Sequence, residues 1–298
     1  MNYVKDNETL HLEIKSASYI GKPISNTVMY ITKKVEYLLE HLNNVEKCLI
    51  FCEDTISIPD DLEKKHTFIR TNNPQLEYSN YVTKLANKLE QKNKKRKYTL
   101  TEDGFYIGEN VTIGNNSIIE PLCFIDHDVV IGENARILSG AKIRNAIIGD
   151  NFIANENSLV GSCGFTMADD VNGNKIRIPT LGKVLIGHNV EVGMLANISV
   201  GSAGNTIIRD FVKIDAFVYI GHDVTLHNNV EISAGVIIGG FVTIEPNVFL
   251  GINSTLRNRI TIGENSIIGM GSVVTKDIPA NTTVIGNPAK PLEKYLKK

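Results

Sequence analysis

The chain has 298 residues, a formal net charge of −2, 42% hydrophobic residues and no tryptophan. So little net charge gives no general field for nucleic acid or an acidic membrane, and no apolar run approaches the ~20 residues a bilayer span needs. The opening MNYVKDNETLHLEIKSASYIG lacks a basic start, an apolar stretch and a small-residue cleavage site, so a soluble cytoplasmic protein is expected. Four cysteines, Cys48, Cys52, Cys123 and Cys163, are too few for a disulfide framework and are read as reduced.

In chain order, TVMYIT, KCLIFCE and HTFIRT read as strands, and KKVEYLLEHLNN and PQLEYSNYVTKLANKLEQK read as helices. This alternation predicts an α/β domain over residues 1–98. The basic run from Lys92 to Lys97 (KNKKRK) reads as a solvated linker, and the boundary falls near 98–104.

Beyond it the pattern changes. Ile107, Ile113, Ile119, Ile125, Ile131, Ile137 and Ile143 recur every six residues, then one residue is dropped and the series resumes at Ile148. A second array is unbroken through Ile208, Ile214, Ile220, Leu226, Ile232, Ile238, Ile244, Leu250, Leu256, Ile262, Ile268 and Val274. A period of six with β-branched residues fits a coil of three flat sides, in which every sixth side chain points to the axis and eighteen residues make one turn. Glycine, asparagine and aspartate between the aliphatics suit corners with positive φ. The expected architecture is therefore mainly β, a parallel β-helix over residues 104–276 following the α/β domain. Residues 161–183 break the period and contain Asn172-Gly173, so they should leave the coil as a loop on a binding face. A smaller break lies at 201–206, and 277–298 should be a tail ending in a short helix.

Catalytic residues are sought at the corners. His222 follows an Ile-Gly pair in YIGHDVTLH, and Gly240 lies eighteen residues on, one coil above it. An imidazole can take a proton from an amine or hydroxyl, while a bare glycine N–H can hold an oxyanion. Asp223 is expected to contribute little, because neighbours on a strand point to opposite sides. His127 shares the hexad position of His222, but Asn145 stands eighteen residues beyond it. His188 also shares that position and reads as structural or substrate-lining.

These residues carry a resemblance. GFTMADDVNGNKIRIPTLGKVLIGHNVEVG followed by GNTIIRDFVKIDAFVYIGHDV resembles the core of the UDP-3-O-acylglucosamine N-acyltransferases, whose general base matches His222. The tail IGENSIIGMGSVVTKDIPANTTVIGNPAKPL is similar to CoA-dependent nucleotide-aminosugar N-acetyltransferases. Both belong to the hexapeptide-repeat acyltransferases, and the resemblance implies a left-handed parallel β-helix and a homotrimer. It further implies N-acylation of a UDP- or dTDP-linked aminosugar in cell-surface glycan synthesis, with acyl-CoA as co-substrate and no bound cofactor, metal, nucleic acid or membrane. The acyl donor would lie in a groove along Gly251, Ile252, Gly269 and Met270, with Arg257 and Lys276 near its phosphates, and Arg259 and Lys290 as further candidates. His188, and Tyr30 beside the position where the lipid A enzymes stack uracil, are the candidate nucleotide-sugar contacts.

Several features depart from the lipid A pattern. Met29 replaces the stacking aromatic, Phe241 replaces a histidine, Ser199-Val200 replaces an Asp-Arg pair, and no long C-terminal helices for docking acyl carrier protein follow. They move the expected donor from acyl carrier protein to CoA. A rival reading is a γ-carbonic-anhydrase-like metal site made by His188, His222 and His227.

Overall fold

The computed structural model describes residues 3–5, 8–10 and 13–292. Two compact units emerge. One holds the described residues up to Lys94 together with Phe165–Gly182 and Ser202–Gly204; the other holds Lys95–Gly164, Lys183–Gly201 and the described residues from Asn205 onward.

In the first unit the strands Ser16–Ala17, Thr27–Ile31, Leu49–Cys52 and Thr67–Arg70 form a parallel four-stranded sheet in that order. A central parallel strand is covered on both faces, and Leu49–Cys52, apolar at each position, is buried at every residue. The 3₁₀ helix Lys33–Asn44 buries Leu38, Leu39 and Leu42. The helix Pro74–Asn93 starts at an Asn73 cap that accepts from the Leu76 N–H, and it buries Tyr78, Tyr81 and Val82 against Val28, Leu49 and Phe51. Ala168 and Ile178 complete that same cluster. Residues 161–183, expected as a loop serving a binding face, thus place Ala168 and Ile178 in the core of the first unit, while Phe165 and Val171 stay exposed. Met167–Asp169 and Lys175–Arg177 pair as an antiparallel hairpin, whose turn is tied by Asp170 Oδ1 accepting the N–H groups of Asn172 and Asn174 at 2.8 Å each.

The second unit is the three-sided coil. Its first face runs from Tyr106–Ile107 to Val273–Val274, its second from Thr112–Ile113 to Thr261–Ile262, and its third from Ile118–Ile119 to Thr283–Ile285. Every strand pairs in parallel with its counterpart one coil away, as Tyr219–Ile220 does with Ile237–Ile238. The aliphatics from Ile208 to Val274 are at most 3% exposed. A second inward column, Val212, Val218, Val224, Val230, Val236, Val242 and Val248, fills the corners and is equally buried. The dropped residue is absorbed at a shortened corner, where Ile131 pairs with Ile148. The coil also continues past its expected end at 276, because Thr283–Ile285 still pairs in parallel with Ile267–Ile268. The short helix expected at the C-terminus lies largely outside the described residues.

Left-handed backbone recurs at the corners. On the corner between the second and third faces, asparagines occupy it in successive coils and hydrogen-bond side chain to side chain, as in Asn229–Asn247–Asn265–Asn281. Asparagine tolerates this conformation better than other side chains and here also satisfies its neighbours. Phe211, at φ 61, interrupts that ladder.

In the basic run Lys94, Lys95 and Lys97 are exposed, as a solvated linker requires, but Arg96 is half-buried. Arg96 forks onto Asp128 through both terminal nitrogens, with Glu109 beside it, and holds the Asp128 carboxyl down at about 2. Next to it Tyr98 stacks on His127, 4.3 Å between ring centroids, and donates to Asp126 at 2.7 Å. Burial, with that carboxylate adjacent, pushes the Tyr98 hydroxyl up to about 12.

Candidate active site

The corner between the first and second faces collects the irregular features of the coil. The departures at 161–183 and 201–205 both leave from it in consecutive coils, between Leu159–Ser162 and Val184–Ile186, then between Asn197–Ser199 and Thr206–Ile208. His222 occupies the same corner in the next coil, between Tyr219–Ile220 and Thr225–Leu226.

His222 is 15% exposed and its Nδ1 lies 2.8 Å from Asp223 Oδ2. This corrects the small weight given to Asp223. Alternation of sides holds only along a strand, and Asp223 sits at φ 60, where the chain reverses and the side chain turns back toward the preceding ring. Its own N–H donates to the buried Thr206 Oγ1 at 3.0 Å, which fixes the turn. An ionised carboxylate only accepts, so against one the ring hydrogen belongs on Nδ1.

Gly240 lies against the other edge of the ring. A Cβ built on Gly240 would come within 2.7 Å of both Cε1 and Nε2 of His222, so any side chain at 240 would occupy the space a substrate proton needs. Among the described residues the Gly240 N–H has no hydrogen-bond partner. The far side of the site is aromatic. Phe241, also left-handed at φ 62, meets the His222 ring edge-on at 5.1 Å, and the Arg259 guanidinium lies 4.2 Å over the Phe241 ring.

The other residues singled out in the sequence are distributed as follows. Arg257 and Lys276 lie on the His222 corner in higher coils and are exposed; Lys276 and Lys290 also line a cleft of about 190 Å³ at the C-terminal end of the coil. Gly251, Ile252, Gly269 and Met270 are elsewhere. They follow Phe249–Leu250 and Ile267–Ile268 on the third face and so stand at the corner between the third and first faces. Within one chain they do not line a groove with His222. Ile252 and Met270 are 50% and 77% exposed there, and Gly251 packs so closely that a Cβ would lie 2.7 Å from the Met270 nitrogen.

His188 and His227 are on the corner between the second and third faces, after Val184–Ile186 and Thr225–Leu226. His188 Nδ1 accepts from the Asp150 N–H at 3.0 Å, and His227 is 3.8 Å from Glu245. The metal reading required these two to converge with His222, yet a whole strand separates His222 from His227. No group of three His, Cys, Asp or Glu side chains able to hold a metal occurs among the described residues. His127 is buried, accepts from the Glu109 N–H at 2.7 Å and lies under Tyr98. Tyr30 belongs to the first unit, where it packs on Tyr78 at 5.1 Å beside the fully buried Met29.

Comparison with known proteins agrees with this architecture. Residues 110–145, 205–240 and 241–276 match the bacterial transferase hexapeptide (six repeats) family, and the unmatched interval 146–204 holds the first departure from the coil and most of the second. UDP-3-O-acylglucosamine N-acyltransferase 2 of Legionella pneumophila is 42% identical over 84 residues, 28% of this chain and 24% of that protein. UDP-3-O-acylglucosamine N-acyltransferase of Coxiella burnetii is 37% identical over 86 residues, 29% of this chain and 25% of that protein. The match thus spans about a quarter of the length of these curated relatives. Among solved structures, the UDP-N-acetylglucosamine acyltransferase of Francisella novicida superposes with a TM-score of 0.58 at 24% identity, covering 65% of this chain and 69% of that one. That of Campylobacter jejuni gives 0.57 at 24% identity, over 65% and 73%. At such identities the likeness is one of fold. No described helix is long and apolar enough to cross a membrane. Three stretches of the second unit match the hexapeptide repeat family, and the fold of that unit is a left-handed parallel β-helix.

Proposed function

We propose that this protein is an acyltransferase that moves an acyl group from a thioester to the amine of a nucleotide-linked aminosugar, with His222 as the base. The observation that carries the reading is the Asp223–His222–Gly240 arrangement, in which a carboxylate lies 2.8 Å from Nδ1 of the imidazole and the glycine of the next coil lies against the edge that bears Nε2. In the reaction the sugar nitrogen attacks the thioester carbonyl while Nε2 takes its proton, and the Gly240 N–H holds the oxyanion. Collapse breaks the C–S bond, and the imidazolium returns the proton to the departing thiolate. Asp223 keeps the tautomer and steadies the transient positive charge.

The names of the Legionella and Coxiella relatives support a UDP-linked acceptor. Acyl-CoA is the donor in this reading, with Arg257, Lys276 and Lys290 as the cations for its phosphates, and the work is done in the cytoplasm, where acyl-CoA and nucleotide sugars are available. Gly251, Ile252, Gly269 and Met270 can reach the donor only from another copy of the chain, which is what a homotrimer would supply. Tyr30 and His188 remain the candidate nucleotide contacts.

The test is a screen of acyl-CoA and acylated carrier protein against UDP- and dTDP-linked aminosugars, reading thiol release and acylated sugar together. Transfer from acyl-CoA is expected. Transfer from carrier protein alone would overturn the donor, and no transfer from either would overturn the function.

A further inference from the structure

Asp223 turns back onto His222 at a corner that is fastened unlike its counterparts. In other coils the left-handed residue of this corner gives its N–H to a backbone carbonyl one coil below: Asp128 to Glu109 at 3.0 Å, Phe241 to His222 at 2.9 Å and Arg259 to Gly240 at 3.0 Å. Below Asp223 the chain leaves the coil after Asn197–Ser199 and returns at Thr206–Ile208, so the regular corner is interrupted there. The acceptor of the Asp223 N–H is a side chain, Thr206 Oγ1, at 3.0 Å.

Thr206 is also the odd member of its own column. Parallel pairing puts Val129, Ala146, Val184, Val224, Val242 and Ile260 in register with it, all buried and all apolar. Thr206 is fully buried as well. Valine would fill that position with nearly the same shape, so packing does not call for the hydroxyl, and a buried hydroxyl costs free energy unless it is hydrogen-bonded. The bond received from Asp223 accounts for the oxygen. It holds a residue at φ 60, and that same turn brings the Asp223 carboxylate to 2.8 Å from His222 Nδ1.

We infer that Thr206 is a positioning residue for the reaction: without touching substrate, its hydroxyl sets the turn that aims Asp223 at the base. The inference rests on the proposed function and adds to it a second residue behind the imidazole, supplied by the point where the chain re-enters the coil. Thr206 acts on the chemistry only through Asp223. Its effect on catalysis must therefore vanish once the carboxylate is gone, whereas its effect on stability must not.

The experiment is a double-mutant cycle on the full chain, run with the thioester and nucleotide-linked aminosugar that the wild-type protein accepts. It reads kcat, KM and the urea midpoint for Thr206→Val, Thr206→Ser, Asp223→Asn and the Thr206→Val, Asp223→Asn double variant. Thr206→Val, which keeps the shape and removes the oxygen, should lower kcat by ~10–10² with KM little changed, the scale on which a misplaced catalytic group is felt. Thr206→Ser, which keeps the oxygen and removes a buried methyl, should lose stability yet keep kcat within a few-fold of wild type. In the Asp223→Asn background, Thr206→Val should lower the urea midpoint again but leave kcat where Asp223→Asn set it. A valine variant with wild-type kcat, a serine variant as slow as the valine one, or a full additional loss of kcat in the double variant would overturn the positioning role while leaving acyl transfer standing. If Thr206→Val does not fold, the serine variant decides, since a slow folded serine protein overturns the inference and a fast one upholds it. Absence of transfer by the wild-type protein would remove the proposed function and this inference with it.

Discussion

Asp223 and His222 are neighbours in sequence, yet their side chains meet, with Oδ2 2.8 Å from Nδ1. The left-handed turn at Asp223 makes this possible, and the Thr206 hydroxyl holds the turn from one coil below. Replacing the carboxylate by an amide is the sharpest test of its role. In Asp223→Asn the amide NH₂ can donate to Nδ1, moving the ring hydrogen to Nε2 and leaving the base without its lone pair. The expected loss in kcat is ~10²–10⁴, with KM little changed. Steady-state kinetics would show it, and turnover within a few-fold of wild type would mean that Asp223 does not set the tautomer.

Gly240→Ala places a methyl where the His222 ring and its substrate proton meet, 2.7 Å from Nε2. The ring is the end of a flexible side chain and can swing away, so the fold should survive while kcat falls by ~10² or more. Circular dichroism with kinetics separates the two effects. An active Gly240→Ala protein would contradict the placement of the reacting carbonyl.

The asparagine ladder predicts a stability effect far from the chemistry. Asn247 accepts from Asn229 at 2.9 Å and donates to Asn265 at 3.1 Å, from a backbone at φ 59. Asn247→Ala forfeits both bonds and sets an alanine in left-handed backbone, at an expected cost of about 1–2 kcal/mol. Asn247→Gly should cost less, since glycine adopts that conformation freely. Urea denaturation would rank the three proteins, and an alanine variant as stable as the glycine one would remove the conformational part of this account.

His66 gives the first unit a pH dependence. It is buried, its Nδ1 accepts from the Cys48 N–H at 3.3 Å and its Nε2–H donates to the Leu42 carbonyl at 3.1 Å, so both nitrogens are committed in the neutral form. Burial lowers its pKa below the ordinary value of 6.5, an effect only partly opposed by the Leu42 carbonyl. Above 6.5 neither the folded nor the unfolded chain binds this proton, and its contribution to stability is complete. As pH falls below 6.5 the unfolded chain takes the proton first, so stability declines until the folded value is passed. In His66→Gln, which can keep both hydrogen bonds, the decline in the urea midpoint between pH 7.5 and 5 should be smaller. An equal decline in both proteins would assign the effect to other groups.

The coil was legible because its signal is a strict count: Ile208 to Val274 never leaves the register of six. The valines from Val212 to Val248 carry the same count and were there to be read as a second inward column. Counting also shows why Gly251 and Gly269 fall on another corner, since neither stands a multiple of eighteen from His222, as Gly240 does; the family likeness alone suggested a common groove. Asp223 was not legible, because a left-handed turn undoes the alternation from which side-chain direction is inferred. Nor was the destination of residues 161–183, where Ala168 and Ile178 are single apolar residues in a turn-rich stretch. Only a partner surface such as Tyr78 and Tyr81 reveals them as core. The Phe241–Arg259 stack escaped for a related reason, since its members are eighteen residues apart and of unlike type.

The central claim is that His222 is the base, and the direct measurement is turnover of the His222→Ala protein in thioester-to-aminosugar transfer, with the fold checked by circular dichroism. The account predicts a folded protein whose kcat is lower by ~10²–10⁴ for every acyl length. A folded His222→Ala protein turning over at close to the wild-type rate would contradict it.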